Sequence, residues 1–220
     1  SEGISMIKAI LFDMDGTLVD SERINVKLWC DQMELYGFER DESIVHSIIG
    51  IDNKVAMQIL ESHFGDKAKL MEEGIIVAKR RYVDENGVIL KEGAEEILAY
   101  LKDKLPLAVA TSTPAPKSTN TLIKANLDQY FKVITTGDQV ENGKPNPDIF
   151  LMTAKKMNLS PNEVMVVEDS KNGIRAARSG GFVSVLIPDV VKADEVMIEC
   201  ADYIYNNLGE LLDYLKEEIH

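Results

Sequence analysis

Short apolar runs rich in β-formers alternate with helical patterns along most of this chain, and that alternation constrains the fold more than any other feature. The runs fall at residues 6–12, 105–110, 132–135, 164–167 and 182–187, with a weaker one at 203–205. Between them, apolar residues recur at helical spacing over 92–103, 116–125, 147–157, 171–179 and 208–215. A strand that returns to its own sheet through a helix must run parallel to its predecessor, so this order predicts an α/β fold, a parallel sheet with helices on both faces. The helix ends are well marked. Ser170 is placed to cap a helix that Gly180-Gly181 closes, and Asn207 with Glu210 three residues on resembles a capping box. Leu208, Leu211, Leu212 and Leu215 then form a stripe that faces a core.

One stretch breaks the alternation. Residues 20–87 contain helical segments at 22–36, 42–49, 53–64 and 67–84 and no convincing strand. Helices placed inside a parallel sheet would sever its core, so the insert is expected to form a separate all-helical cap domain, 20–87. Residues 1–19 and 88–220 then supply the α/β core domain. A length of 220 residues suits one domain with an appendage of this size. Trp29, Met33 and Tyr36 fall at helical spacing and are expected to pack inside the insert. Residues 1–5, ahead of Met6, read as a leader or remnant outside the fold.

Composition excludes several classes. Hydrophobic residues at 45% and charged residues at 28% are ordinary globular usage, against a disordered or membrane-spanning chain. With 24 basic and 37 acidic residues the net charge is −13, and no basic stripe offers nucleic-acid phosphates their contacts. Cys30 and Cys200 form no CxxC and no zinc spacing with histidine, which fits a reduced compartment. His46 and His63 are too far apart to share a helix face, and His220 is a tail residue. No apolar run approaches membrane length and no basic segment with an apolar signal core opens the chain, so a cytoplasmic location is expected.

The chemistry emerges when the polar residues that follow each apolar run are taken together, because ligands of an open parallel sheet gather beyond the carboxyl ends of its strands. The first run delivers Asp13 and Asp15, the second Thr111 and Ser112, and the fourth Glu168 and Asp169; Gly143-Lys144-Pro145 follows the third. Four carboxylates at one sheet edge repel one another and require neutralisation. A Mg²⁺ ion with Lys144 leaves one excess negative charge, which protonation of one carboxyl group removes. Mg²⁺ takes oxygen ligands, which fits carboxylates without histidine or cysteine. In such a site Asp13 would attack a phosphate monoester in line, while Asp15 would protonate the leaving alkoxide and later take a proton from water. The Thr111 hydroxyl, the loop amides near Met14 and Ser112, and Lys144 would hold the equatorial oxygens.

Two other loop chemistries fail on the residues. Counted as a calcium loop from Asp13, the segment has Leu18 where glycine belongs and Ile24 where glutamate belongs. Counted as a P-loop, Gly143-Lys144 is followed by Pro145 instead of Ser or Thr and lacks the earlier glycine, since Asp138 stands there.

Taken in order, Asp13-Met-Asp-Gly-Thr17, Thr111, Lys144 and Glu168-Asp169 resemble the four motifs of the haloacid dehalogenase superfamily. Asp20-Ser21-Glu22, Gly143-Lys-Pro-Asn-Pro-Asp148 and Glu168-Asp-Ser-Lys-Asn-Gly-Ile-Arg-Ala-Ala177 are similar to its helical-cap phosphatase and β-phosphoglucomutase-like branch. The resemblance implies a Rossmann-like core and a hydrolase acting through an aspartyl-phosphate. It also implies Mg²⁺ bound by the Asp13 carboxylate, the Asp15 backbone carbonyl and Asp169, with Glu168 at the metal directly or through water. Lys54 follows Gly50-Ile-Asp-Asn53, a cap loop that faces the active site in relatives, and is expected to contact substrate.

The expected activity is thus a Mg²⁺-dependent phosphatase of a small phosphorylated metabolite, a sugar phosphate among the candidates, working as a monomer without nucleic acid or membrane. A sugar-phosphate mutase is the alternative. The β-phosphoglucomutase pattern has an arginine and a histidine in its cap where Asn53 and Asn25 stand here, which favours the phosphatase. A receiver-like phosphorylation module places its acid pair after strand one and its phosphoacceptor after strand three, an order this chain does not follow.

Overall fold

The computed structural model describes residues 6–51 and 53–219, so the expectations for residues 1–5 and for His220 lie outside the described residues. Strands β1 (Ala9–Phe12), β2 (Leu107–Thr111), β3 (Val133–Thr136), β4 (Val164–Glu168), β5 (Val183–Leu186) and β6 (Tyr203–Ile204) form one sheet. Its order is β3-β2-β1-β4-β5-β6, with every neighbouring pair parallel. β1, β2 and β4 are buried along their whole length, which is why their sequences are continuous apolar runs and not alternating ones.

The chain divides into two compact units, Asp20–Ile89 and the remainder. The first contains α1 (Ser21–Leu35), α2 (Glu42–Ile48), α3 (Asn53–Phe64) and α4 (Lys67–Asn86). Its core gathers Trp29, Cys30, Met33, Val45, Leu60, Phe64 and Met71, with Phe38 packed edge-on against Phe64 at 4.9 Å between centroids. The sequence puts the end of this insert at residue 87. The structure puts it two residues later: the Asp20 amide donates to Ile89 O, and Val19 pairs with Leu90 as the chain returns.

The sheet unit adds α5 (Ala94–Leu101), α6 (Lys117–Lys124), α7 (Asp148–Lys156), α8 (Lys171–Ser179), α9 (Glu195–Cys200) and α10 (Leu208–Glu218). Successive strand residues point to opposite faces. Ala9, Leu11, Ala108, Ala110, Val164 and Val166 meet Ile149 and Phe150 of α7 and Ala176 and Ala177 of α8. Leu208, Leu211, Leu212 and Leu215 of α10 are all buried. After β1 the chain moves to one side for β2 and β3, then crosses to the other for β4, β5 and β6. The reversal between β1 and β4 opens the crevice in which such sheets hold ligands.

Local details differ from the sequence expectation. α5 starts two residues later than the periodicity suggests, because Gly93 at φ +82 is its N-cap, in a conformation that excludes the helix. Asn207 does cap α10 through the Glu210 amide, but Glu210 reaches past it to the Asn206 amide, so the box is not reciprocal. α9, which Asp194 caps through the Met197 amide, is too short to show periodicity. Among the described residues no helix is long and apolar enough to cross a membrane, and Cys30 and Cys200 are unpaired thiols.

Candidate active site

β1 and β4 end side by side and carry the acids to one place. The Asp13 amide donates to Val167 O at 3.0 Å, so the strand ladder itself fixes where the first carboxylate leaves the sheet. Asp13, Glu168 and Asp169 are all buried, and one ligand oxygen from each lies within 4.8 Å of the others. Lys144 enters this group from the loop after β3. Its Nζ donates to Asp13 Oδ1 at 2.9 Å, Glu168 Oε1 at 2.6 Å and Ala110 O at 3.3 Å, and it lies over the Phe150 ring.

The electrostatics follow from this crowding. Burial, then the neighbouring Glu168 carboxylate, pushes the Asp13 carboxyl up to about 7, against the opposing pull of Lys144. For Lys144 burial works to lower the pKa, but Asp13 and Glu168 outweigh it and hold the ammonium above its ordinary range. Three buried carboxylates with a single lysine remain under-neutralised, and their donors are all hard oxygens. The set therefore fits a divalent cation such as Mg²⁺, with Asp13, Glu168 and Asp169 as the side chains that would hold it.

Two glycines make the cluster possible. A Cβ on Gly173, in the first turn of α8, would lie 1.9 Å from the Glu168 carboxyl carbon, so the helix can settle on that carboxylate only with glycine there. Glu168 Oε2 then accepts from the Asp169 and Ser170 amides and the Ser170 hydroxyl, while Ser170 Oγ caps the helix through the Gly173 amide. Gly16, at φ +83, turns the loop after β1, and a Cβ there would lie 2.2 Å from Asp169 Oδ2.

Asp15 is arranged differently. Its carboxylate is outside the three-acid group, and its Oδ2 accepts from Thr113 Oγ1 at 2.8 Å. The Thr113 amide in turn donates to Thr111 Oγ1 at 3.1 Å, which links the ends of β1 and β2. The Met14 side chain is buried, and its carbonyl receives the amides of Thr17, Leu18 and Val19, so any ligand contact of Met14 must come through its backbone. Ser112 is exposed, and its carbonyl packs against Gly137. Lys54 is exposed in the first turn of α3, in the helical unit, whereas every other candidate belongs to the sheet unit.

Thr17 and Thr113 received no role from the sequence. Thr17 Oγ1 stands 3.3 Å from Asp13 Oδ2 and 3.1 Å from Asp169 Oδ1, bridging two acids that are 156 positions apart. Short threonines in polar loops give no periodic signal. Their position directly after a strand end is the one clue.

A family model described as haloacid dehalogenase-like hydrolase matches residues 10–187. A phosphorylated carbohydrates phosphatase from Thermotoga maritima is 33% identical over 217 residues, covering 96% of this chain and 99% of that protein. Among solved structures, one from Thermotoga maritima provisionally assigned as a β-phosphoglucomutase superposes with a TM-score of 0.80 at 32% identity, covering 96% of this chain and 99% of the other. CbbY from Rhodobacter sphaeroides, crystallised with phosphate, gives a TM-score of 0.74 at 26% identity over 93% of this chain and 96% of its own. On the match along most of its length and on these relatives, the chain belongs to the haloacid dehalogenase-like hydrolases.

Proposed function

We propose that this hydrolase is a Mg²⁺-dependent phosphatase of a small phosphorylated carbohydrate, working through an aspartyl-phosphate on Asp13. The observation that carries the reading is the buried group of Asp13, Glu168, Asp169 and Lys144 at the carboxyl ends of β1 and β4. The substrate class comes from the Thermotoga phosphatase and from CbbY, a mutant of which has been crystallised with xylulose 1,5-bisphosphate.

A divalent cation held by Asp13, Glu168 and Asp169 would supply positive charge that keeps Asp13 ionised and offsets charge on the phosphoryl group. Asp13 attacks phosphorus as the bond to the leaving oxygen breaks, and Asp15 delivers a proton to that oxygen. In the second half-reaction water attacks the same phosphorus, gives its proton to Asp15, and frees Asp13 with release of phosphate. Thr113 holds the Asp15 carboxylate in one orientation for both steps. Thr111 Oγ1 accepts from the Thr113 amide, which leaves its own proton to donate to a phosphoryl oxygen, alongside the Met14 and Ser112 loop amides and Lys144.

A phosphate-release screen over phosphorylated metabolites tests this. Release from at least one sugar phosphate is expected with Mg²⁺, none with EDTA, and a loss on the order of 10⁴-fold or more in Asp13→Asn. Unchanged activity in Asp13→Asn overturns the nucleophile assignment. The similarity to the provisional β-phosphoglucomutase favours a second reading, phosphoryl return to the sugar. Conversion of β-glucose 1-phosphate faster than phosphate release would establish it.

A further inference from the structure

A fifth carboxylate reaches this rim from β5. The Ile187 amide donates to Glu168 O at 2.8 Å, which keeps the chain beside the end of β4 until Pro188 and Asp189. The Asp189 side chain is only 7% exposed. Its Oδ1 is ion-paired with Lys91 Nζ, and the Lys91 amide donates to Leu18 O at 2.8 Å, which ties the pair to the loop after β1. Oδ2 is buried and accepts no hydrogen bond from the described residues. It lies 3.2 Å from the point a Gly16 Cβ would occupy, and Asp169 Oδ2 lies 2.2 Å from that same point. Two carboxylate oxygens from different strands thus converge on the gap that Gly16 leaves.

A buried acceptor without a donor is costly, and more so when charged, so its persistence calls for a donor. Asp189 is not one of the three acids whose oxygens lie close enough together to share an ion. Lys91 cancels its charge, so it brings an acceptor to the crowded rim without adding to the repulsion there. An acceptor of that kind suits a water bound to a cation, whose protons are strong donors, and partners in such positions tune affinity without touching the metal.

We propose that Asp189 is a positioning residue of the cation site. Its Oδ2 accepts a hydrogen bond from a water on the divalent cation held by Asp13, Glu168 and Asp169, and Lys91 holds the carboxylate in that orientation. This rests on the reading of those three acids as cation ligands.

Titrating the full-length protein with Mn²⁺, with free Mn²⁺ followed by electron paramagnetic resonance, tests it against melting points taken in EDTA. Asp189→Ala should weaken Mn²⁺ about tenfold or more. Asp189→Asn, which keeps an acceptor oxygen, should recover part of that loss, and Lys91→Met should lose less than Asp189→Ala. A purely structural ion pair predicts the opposite pattern: both Asp189→Ala and Lys91→Met melt earlier in EDTA, and neither changes the Mn²⁺ affinity. Wild-type affinity in Asp189→Ala, or an equal loss in Lys91→Met, overturns the proposal. If Asp189→Ala does not fold, wild-type affinity in Asp189→Asn overturns it. Asp169→Asn is the control. If the wild type binds no Mn²⁺ or Asp169→Asn leaves binding intact, the cation reading falls and this inference with it; if Asp169→Asn abolishes binding, failure of the Asp189 variants counts against this inference alone.

Discussion

The two compact units bury opposite kinds of material. In the sheet unit Asp13, Glu168 and Asp169 are buried, with Lys144 paired to two of them at side-chain exposures of 10% or less. In the helical unit Asp20, at its edge, is the one buried acid among the described residues, and it pairs with Arg23. Lys27–Asp31, Arg40 with Asp31 and Glu34, and Arg81–Glu85 also pair in this unit, and they lie in solvent, where screening leaves exposed pairs little weight. A buried charge cluster is weak support for stability, because desolvation consumes most of the Coulomb gain. The sheet unit therefore holds buried acids that contribute little to its stability, while among the described residues the buried side chains of the helical unit are apolar except for Asp20.

If that division is real, a large stability defect in one unit should leave the charge chemistry of the other untouched. Met33 is fully buried in the helical core beside Trp29, Cys30 and Met71. Truncation in Met33→Ala should cost about 3–4 kcal/mol, read as faster hydrogen exchange across α1 and α4. Mn²⁺ affinity should stay within about twofold of the wild type, since sites that share no partners behave independently. A parallel fall in Mn²⁺ affinity would show that the units are energetically coupled.

The converse experiment loads the sheet unit. In cation-free protein the Asp13 carboxyl titrates near 7, against 3.8 unfolded. Above pH 3.8 the unfolded chain releases this proton before the folded one does, so the folded state loses stability as pH rises and the full cost is reached above pH 7. Asp13→Asn has no proton to lose. In EDTA its stability relative to the wild type should therefore improve between pH 4.5 and pH 8 by on the order of 3 kcal/mol, seen in urea midpoints. A difference that stays constant with pH would mean that the acids do not strain the fold.

The same contrast explains what was legible in the sequence. Buried parallel strands must be continuous apolar runs, and the chain must leave each one in a polar loop, so Asp13, Thr111 and Glu168-Asp169 announced themselves by position. Lys144 stood out through its Gly and Pro neighbours. The same rule extended one strand further would have reached Asp189, directly after Ile187-Pro188; the absence of a second acid there made it easy to pass over. Gly173 belongs to a motif in the sequence, but the reason for it is a collision with Glu168, which exists only once α8 is folded back on β4. The Thr17 bridge joins residues too distant along the chain for spacing to reveal. In the helical unit periodicity located the core well, and it could say nothing about the solvated side chains that distinguish one member of a family from another.

Lys54 is such a side chain, and its proposed contact with substrate rests on the motif resemblance. With a net charge of −13 the protein repels anionic substrates at long range, so an exposed lysine near a bound phosphate ester would act locally, through charge alone. Lys54→Ala should then raise KM for the best sugar phosphate several-fold, to about tenfold at most, with kcat unchanged, because the interaction would be equal in ground and transition states. The effect should shrink toward nothing at about 1 M salt, where the Debye length falls to about 3 Å. Stability should not move, since the residue lies in solvent at the first turn of α3. A KM that ignores the substitution at low salt would remove Lys54 from substrate binding. A fall in kcat instead would assign the helical unit a share in the chemistry, and the division between the two units would no longer hold.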